Sequence, residues 1–339
     1  MASSDCTRPT GDRSSCEHTA ARLRRGVRKR QLGRSGLEVS ELSLGTWGLS
    51  GDGYGPLSEI EVDRTIDRAV GVGITLFDTC DAYGNGDMER KLGKRLPAAK
   101  TQVVTKLGTS TDGYPEKKFD KQYLFMSFEK SQERLRRDVV EIVLLHNPTL
   151  VTLAQDEPIE LLEKLKAEGR IRAWGVTANT QAVAERAIER GAEVLEMAYN
   201  CFFFQDVEAL SLKLRTEGVG LLARSILSYG LLSGHWSPER EFYPPDHRAE
   251  RWNPEELKRR IEQLDALRKV KGGPAPTVRS VAIRYVLDNE RVTSAILGPK
   301  NVTQLDQLVR EAGRMPPYLP RGARAKLETE LAAHGVTGR

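Results

Sequence analysis

Cysteine is scarce and scattered: Cys6, Cys16, Cys80 and Cys201 stand alone in 339 residues and form no CxxC pair. Such spacing offers neither a zinc ribbon nor a disulfide framework, and reduced thiols in a cytoplasm are expected. Histidine is scarce too, and His18, His146, His235, His247 and His334 show no ligand spacing, so no metal is expected and a metal-dependent hydrolase is a weak reading. No run reaches the roughly 18 apolar residues of a membrane helix, and the N-terminal stretch lacks the apolar core of a secretory signal. A cytoplasmic protein without a membrane partner is expected. Also missing is a GxGxxG after the first strand, where the chain reads GTWGLSG. An open doubly wound sheet normally marks its dinucleotide site with that motif.

The net charge of +5 is confined to one end. Residues 1 to 34 hold nine Lys and Arg against three Asp and Glu, which leaves the rest of the chain one unit negative. A balanced body excludes a basic nucleic-acid face on the folded domain. Residues 1 to 28 are rich in Ser, Thr, Arg and Gly without apolar periodicity, so a basic, unstructured tail is expected there, followed by one domain over 29 to 339.

From Arg28 the pattern turns regular. Two short strands are expected around Gly33-Arg34-Ser35-Gly36. Eight apolar runs then alternate with segments of helical period: 42–46, 74–79, 102–107, 140–146, 171–177, 194–200, 220–225 and 294–299. That alternation is the mark of repeated β-α units around a parallel sheet, and eight of them predict an α/β fold, a closed (β/α)8 TIM barrel. A barrel takes about 250 residues, so the chain has room for a short N-terminal β-hairpin and a C-terminal helical extension. Two excursions stand out, residues 226 to 252 and the segment from Pro316, which could cap the barrel mouth or pack beside it.

Functional side chains of such a barrel collect at the C-terminal ends of its strands. Asp78 ends the second run, Tyr83 follows in its loop, Lys106 ends the third and His146 the fourth. Each alone could be structural. Together they share one rim, and the apolar-flanked Lys106 of VVTKLG needs a counter-charge that Asp78 can supply.

These segments resemble the aldo-keto reductases. The likeness is carried by LGTWG at 44–48, FDTCDAYGNGDMERKLG at 77–93, VVTKLG at 103–108, LLHNP at 144–148, GRIRAWGVT at 169–177, YGLLSG at 229–234 and ILGPKN at 296–301, and it covers residues 28 to 315. The resemblance implies that Tyr83 is the proton donor, that Lys106 and Asp78 tune it, and that His146 orients the carbonyl. Physical chemistry agrees, since a nearby ammonium lowers a phenol's pKa and a hydrogen-bond donor steadies developing negative charge on oxygen.

The resemblance also implies a dinucleotide, NADPH with NADH as the alternative. Gly45, Thr46 and Trp47 are expected at the nicotinamide, Asn179 and Glu196 at its carboxamide, Ser225, Leu227 and Gly230 along the pyrophosphate, and Gly298, Lys300 and Gln304 at the adenosine phosphate, with Asp78, Arg224 and Gln307 completing the contacts. Lys300 favours NADPH, because a cation there can pair with a 2′-phosphate, and the helix starting near Asn301 would offer backbone N–H groups. Trp47, Tyr83, His146 and Phe202 are expected to line the substrate pocket, with Phe203, Phe204, Tyr229 and Trp236 also near the mouth.

The chain departs from the family pattern in four places: Thr177-Ala178 replaces Ser-Asn, Glu196 a glutamine, Arg224 an aromatic and Gln307-Leu308 a Glu-Asn pair. A Glu196–Arg224 ion pair is conceivable. The expected activity is reduction of an aldehyde or ketone, with a small-molecule carbonyl or alcohol as the partner. Alternatives are a sugar or polyol dehydrogenase and a cofactor-sensing subunit. Nothing in the sequence fixes an oligomeric state.

Overall fold

The computed structural model describes residues 27–110, 116–313 and 315–339. The expected tail lies outside the described residues up to residue 26, as do Cys6, Cys16 and His18.

The hairpin forms as expected. Strands β1 (Lys29–Gln31) and β2 (Glu38–Ser40) pair antiparallel around a single turn of 3-10 helix at Gly33–Ser35. Gly33 has φ +53, and a Cβ there would sit 2.3 Å from the Gly218 carbonyl oxygen, so glycine lets the turn press against the barrel.

Eight parallel strands follow: β3 (Leu42–Gly45), β4 (Leu76–Asp78), β5 (Gln102–Leu107), β6 (Val140–Leu145), β7 (Ile171–Ala178), β8 (Val194–Ala198), β9 (Gly220–Arg224) and β10 (Val292–Leu297). They pair in chain order, and β10 closes onto β3. Every expected run is a strand, and ends differ by a few residues. The intervening helices start where the sequence supplies an acceptor for a free backbone N–H: Ser58, Asp120, Thr180, Thr277 and Asn301 each cap the helix that follows. The helix Gln181–Glu189 stops just before Gly191, at φ +99.

Strand side chains alternate, and this alternation positions the site. Leu76, Val104, Ile142, Leu144, Ala173, Val194, Leu222 and Ile296 form one buried cluster inside the barrel, closed from below by Leu32 and Val39 of the hairpin. Their odd neighbours, such as Phe77, Val103, Val143, Leu195 and Leu221, pack in the larger cluster between strands and helices. Two residues beyond the inner layer come Asp78, Lys106, His146, Glu196 and Arg224. Strand periodicity thus delivers five polar side chains to the same inner face, one layer above an apolar floor.

The C-terminal extension packs beside the barrel. Its helix Ala323–Ala333 buries Leu327 and Leu331, Gln263 Nε2 donates to the His334 carbonyl at 3.0 Å, and Gly338 accepts from the Phe204 amide at 2.9 Å. Tyr318 ties the preceding segment to the hairpin end by donating to Glu41 at 2.5 Å.

Candidate active site

Lys106 is the centre of the polar layer. It is 1 % exposed, and burial opposes its charge, yet its ammonium donates to Asp78 Oδ2 at 2.5 Å and to the Thr79 carbonyl at 3.0 Å, with Glu196 Oε2 3.3 Å away. The carboxylates of Asp78 and Glu196 outweigh desolvation and hold the Lys106 pKa well above that of an ordinary lysine. Asp78 is pushed up by its own burial and by the charge of Glu196, against the pull of Lys106. One ammonium therefore serves two buried carboxylates, a consequence of Glu196 standing on β8.

Tyr83 lies in the turn after β4, partly buried against the main core, with the Lys106 Nζ 5.4 Å from its ring centroid. Burial raises its pKa, and the Lys106 ammonium pulls the other way without overcoming that rise. The expected lowering by Lys106 is thus present but outweighed by burial, with the negative charges of Asp78 and Glu196 adding to the rise. The phenol rests protonated, which suits a donor.

His146 follows β6. Burial, then the positive charges of Lys117, Lys106 and Arg224, push its imidazole well below the ordinary range, so it is neutral. Its Nδ1 lies 2.9 Å from Thr109 Oγ1 and 3.3 Å from Cys80 Sγ. Cys80 in turn donates to Asp81 Oδ1 at 3.3 Å. Burial and the charge of Glu89 raise Asp81 to about 7.

Arg224 lies 4.0 Å from Glu196, so the conceived ion pair forms at the edge of contact range, and its Nη2 donates to Asn179 Oδ1 at 2.6 Å. Thr177 accepts from the Asn147 amide at 2.7 Å and donates to Asn147 Oδ1, which absorbs it into the loop after β6. Thr46 donates to the Asp78 carbonyl at 2.9 Å, and a Cβ at Gly45 would lie 2.7 Å from Ile296, so β3 passes close to β10 beside the site. Trp47 joins Tyr54, His247, Tyr229, Trp252, Trp236 and Phe242 in a chain of ring contacts that links the loop after β3 to the 226–252 excursion.

Phe202, expected at the substrate pocket, lies deep in the structure. It is completely buried within the main core, with Phe203 and Phe204 packed partly buried against the same core. In the bend after β8, Asn200 Oδ1 accepts from the Phe202 amide at 2.8 Å.

The distal residues are only partly free. Lys300 donates to the Tyr54 carbonyl at 2.9 Å, and Gln304 Oε1 accepts from the Lys300 amide. The helix Val302–Ala312 has its first amide satisfied by Glu61 Oε1 at 3.1 Å and its Gln304 amide by Asn301. An anion at this helix start, expected from a ligand, is thus supplied by the chain itself. Gln307 is half-buried on the same helix. Ser225, at φ +55, and Gly230, at φ +100, bracket the turn after β9 in which Leu227 sits.

The donors and acceptors fit a dinucleotide. Glu196 Oε2 is buried 3.3 Å from the Lys106 ammonium, without a well-formed hydrogen bond among the described residues, and is an acceptor suited to a carboxamide N–H. Space is open where Gly298 would carry a Cβ, and among the described residues the Lys300 ammonium donates one hydrogen bond of the three it can make. Sequence reasoning missed Thr109, Lys117 and the Cys80–Asp81 pair. Thr109, three residues past Lys106, was the one with a positional signal.

The structure is a closed parallel barrel with Asp78, Lys106 and His146 on its inner rim and Tyr83 beside them. The Aldo/keto reductase family model matches residues 41–313, and the chain belongs to that family, whose members are NAD(P)H-dependent oxidoreductases. It is 31 % identical over 297 residues to L-galactose dehydrogenase of Arabidopsis thaliana, covering 84 % of this chain and 87 % of that protein. It is 27 % identical over 310 residues to a probable voltage-gated potassium channel subunit beta of Oryza sativa subsp. japonica, covering 86 % and 93 % respectively. Among solved structures, the holo form of an aldo-keto reductase from Bacillus halodurans superposes with a TM-score of 0.75 at 26 % identity, covering 90 % of this chain and 96 % of that one.

Proposed function

We propose that the chain reduces an aldehyde or ketone to an alcohol using NADPH, with Tyr83 as the proton donor. The observation that carries this reading is the buried ammonium of Lys106, held at 2.5 Å by Asp78 and 5.4 Å from the Tyr83 ring, opposite a neutral His146. The bound cofactor supplies the hydride. Tyr83 offers its phenolic proton to the substrate oxygen, and the positive charge of Lys106 stabilises the phenolate left behind. His146, being neutral, keeps one ring N–H with which to hold that oxygen while negative charge develops on it. Asp78 and Glu196 keep Lys106 charged and in place, and Trp47 and Tyr83 supply apolar surface beside the substrate.

Asn179, Glu196, Arg224, Ser225 and Gly298 would hold the dinucleotide, and Lys300 favours the form with a 2′-phosphate. Oxidation of a sugar or polyol is the second reading, supported by the likeness to L-galactose dehydrogenase; the same residues serve it with Tyr83 as base. A cofactor-sensing role draws support from the likeness to a channel beta subunit.

The test is consumption of NADPH and NADH by the wild type, Tyr83→Phe and Lys300→Ala across aldehydes, ketones and sugars, with cofactor binding followed by fluorescence. Tyr83→Phe should lose about 10²-fold or more in turnover, the usual scale for a general acid, while still binding cofactor. Lys300→Ala should weaken NADPH more than NADH. Tight binding without turnover on any substrate in either direction would sink the enzymatic reading in favour of the sensing one.

A further inference from the structure

Thr109 and Lys117 face one another as an isolated antiparallel bridge beyond β5. The ribbon is closed by the Ser110 amide on the Glu116 carbonyl at 2.7 Å and the Lys118 amide on the Gly108 carbonyl at 3.2 Å. It leaves the barrel at Gly108, where φ is +99 and a Cβ would fall 2.3 Å from the Phe119 ring, so the approach requires glycine. Its effect is to bring a second lysine to the back of His146. Lys117 Nζ donates to Thr109 Oγ1 at 2.6 Å and to the His146 carbonyl at 2.8 Å, and Thr109 Oγ1 lies 2.9 Å from His146 Nδ1.

Hydrogen-bond polarity then runs one way. An ammonium has no lone pair and can only donate, so Thr109 Oγ1 accepts from Lys117 and has its own proton left to give. The neighbour in line is Nδ1: a hydroxyl has two lone pairs and could accept from an Nδ1–H as well, but its own proton would then face no acceptor among the described residues, so Thr109 donating to Nδ1 is the arrangement that satisfies both groups. A neutral imidazole that accepts at Nδ1 carries its proton at Nε2. We propose that Thr109 and Lys117 are positioning residues that fix His146 as the Nε2–H tautomer, the form that presents a donor to the substrate oxygen. The use of that donor rests on the reductase reading; the tautomer does not.

The other groups facing His146 do not compete for Nδ1 as donors of comparable strength. Lys106 and Arg224 act on it through charge, and the Cys80 thiol, 3.3 Å from Nδ1, has Asp81 Oδ1 as an acceptor at the same distance. Were Lys117 absent, the Thr109 hydroxyl could turn its proton into the vacated space and accept from Nδ1–H, and the tautomer bias would weaken.

The test is ¹⁵N NMR of the histidine rings in the full chain, with His146→Gln used to assign the His146 signals among the five histidines. The wild type should show an unprotonated Nδ1 and a protonated Nε2. Thr109→Val and Lys117→Met should move the signals toward mixed tautomers, and Thr109→Ser should restore them. With a carbonyl substrate, Thr109→Val should lose about ten-fold in kcat with KM for cofactor unchanged, less than the ~10²–10³ expected when such a donor is removed outright. A wild type protonated at Nδ1, or a Thr109→Val spectrum identical to wild type, would overturn the proposal. Because the spectra need no turnover, an inactive wild type would count against the reductase reading and leave this one to be judged by NMR.

Discussion

Burial dominates the titration of the site, residue by residue. Tyr83, Asp78 and Asp81 are all pushed towards their neutral forms, and His146 is kept neutral, while Lys106 alone is held charged. A neutral phenol and a neutral imidazole form a donor pair beside a fixed cation, which matches the proposed reduction at neutral pH. Asp81 gives this a consequence for stability. Its pKa is raised from 3.8 to about 7, so between those values the native state binds a proton that the unfolded chain has lost. The stability this contributes is complete below about pH 4 and is lost as pH rises through about 7. Asp81→Asn should therefore melt higher than wild type at about pH 8, by several degrees, and the gap should close by about pH 4. Equal pH dependence in the two proteins would contradict the assigned burial of that carboxyl.

At the scale of elements, the eight strands were legible because parallel strands buried on both faces read as short apolar runs with a fixed spacing. Asp78, Lys106 and His146 were legible for the same reason: each breaks such a run at its C-terminal end. What escaped the sequence depends on contacts between distant segments. The bridge between Thr109 and Lys117 belongs to no periodic pattern. Glu61 reaches the helix at Val302 from 241 residues away in sequence. The Asn200 side chain caps the bend that carries the three successive phenylalanines, and Phe202 is buried in the main core. Strand packing also makes its own prediction. Gly175 of β7 stands where a Cβ would meet the Val194 carbonyl oxygen at 1.7 Å, while a Cβ at Gly71, at the end of the helix Glu59–Gly71, would meet nothing within 4 Å. Gly175→Ala should cost at least the ~1–3 kcal/mol of an overpacked core, read as a lower urea midpoint. Gly71→Ala should be neutral or slightly stabilising.

Taken as a whole, the molecule closes one end of its barrel and builds chemistry at the other. The hairpin seals the N-terminal end with Leu32 and Val39, and Arg30 fastens it by donating to the Val292 and Leu287 carbonyls at 2.7 and 2.9 Å and pairing with Glu41 at 3.2 Å. At the opposite end, the loop after β3 and the 226–252 excursion meet through Trp47, Tyr54 and His247, and the His247 amide donates to the Gly53 carbonyl at 2.9 Å. Among the described residues no helix is long and apolar enough to cross a membrane. The most direct test of the central claim is transfer of deuterium from C4-deuterated NADPH into the alcohol product, followed by mass spectrometry. One deuterium on the former carbonyl carbon in the wild type, and almost none with Tyr83→Phe although it binds the cofactor, is the predicted result. An unlabelled product, or wild-type labelling by Tyr83→Phe, would contradict it.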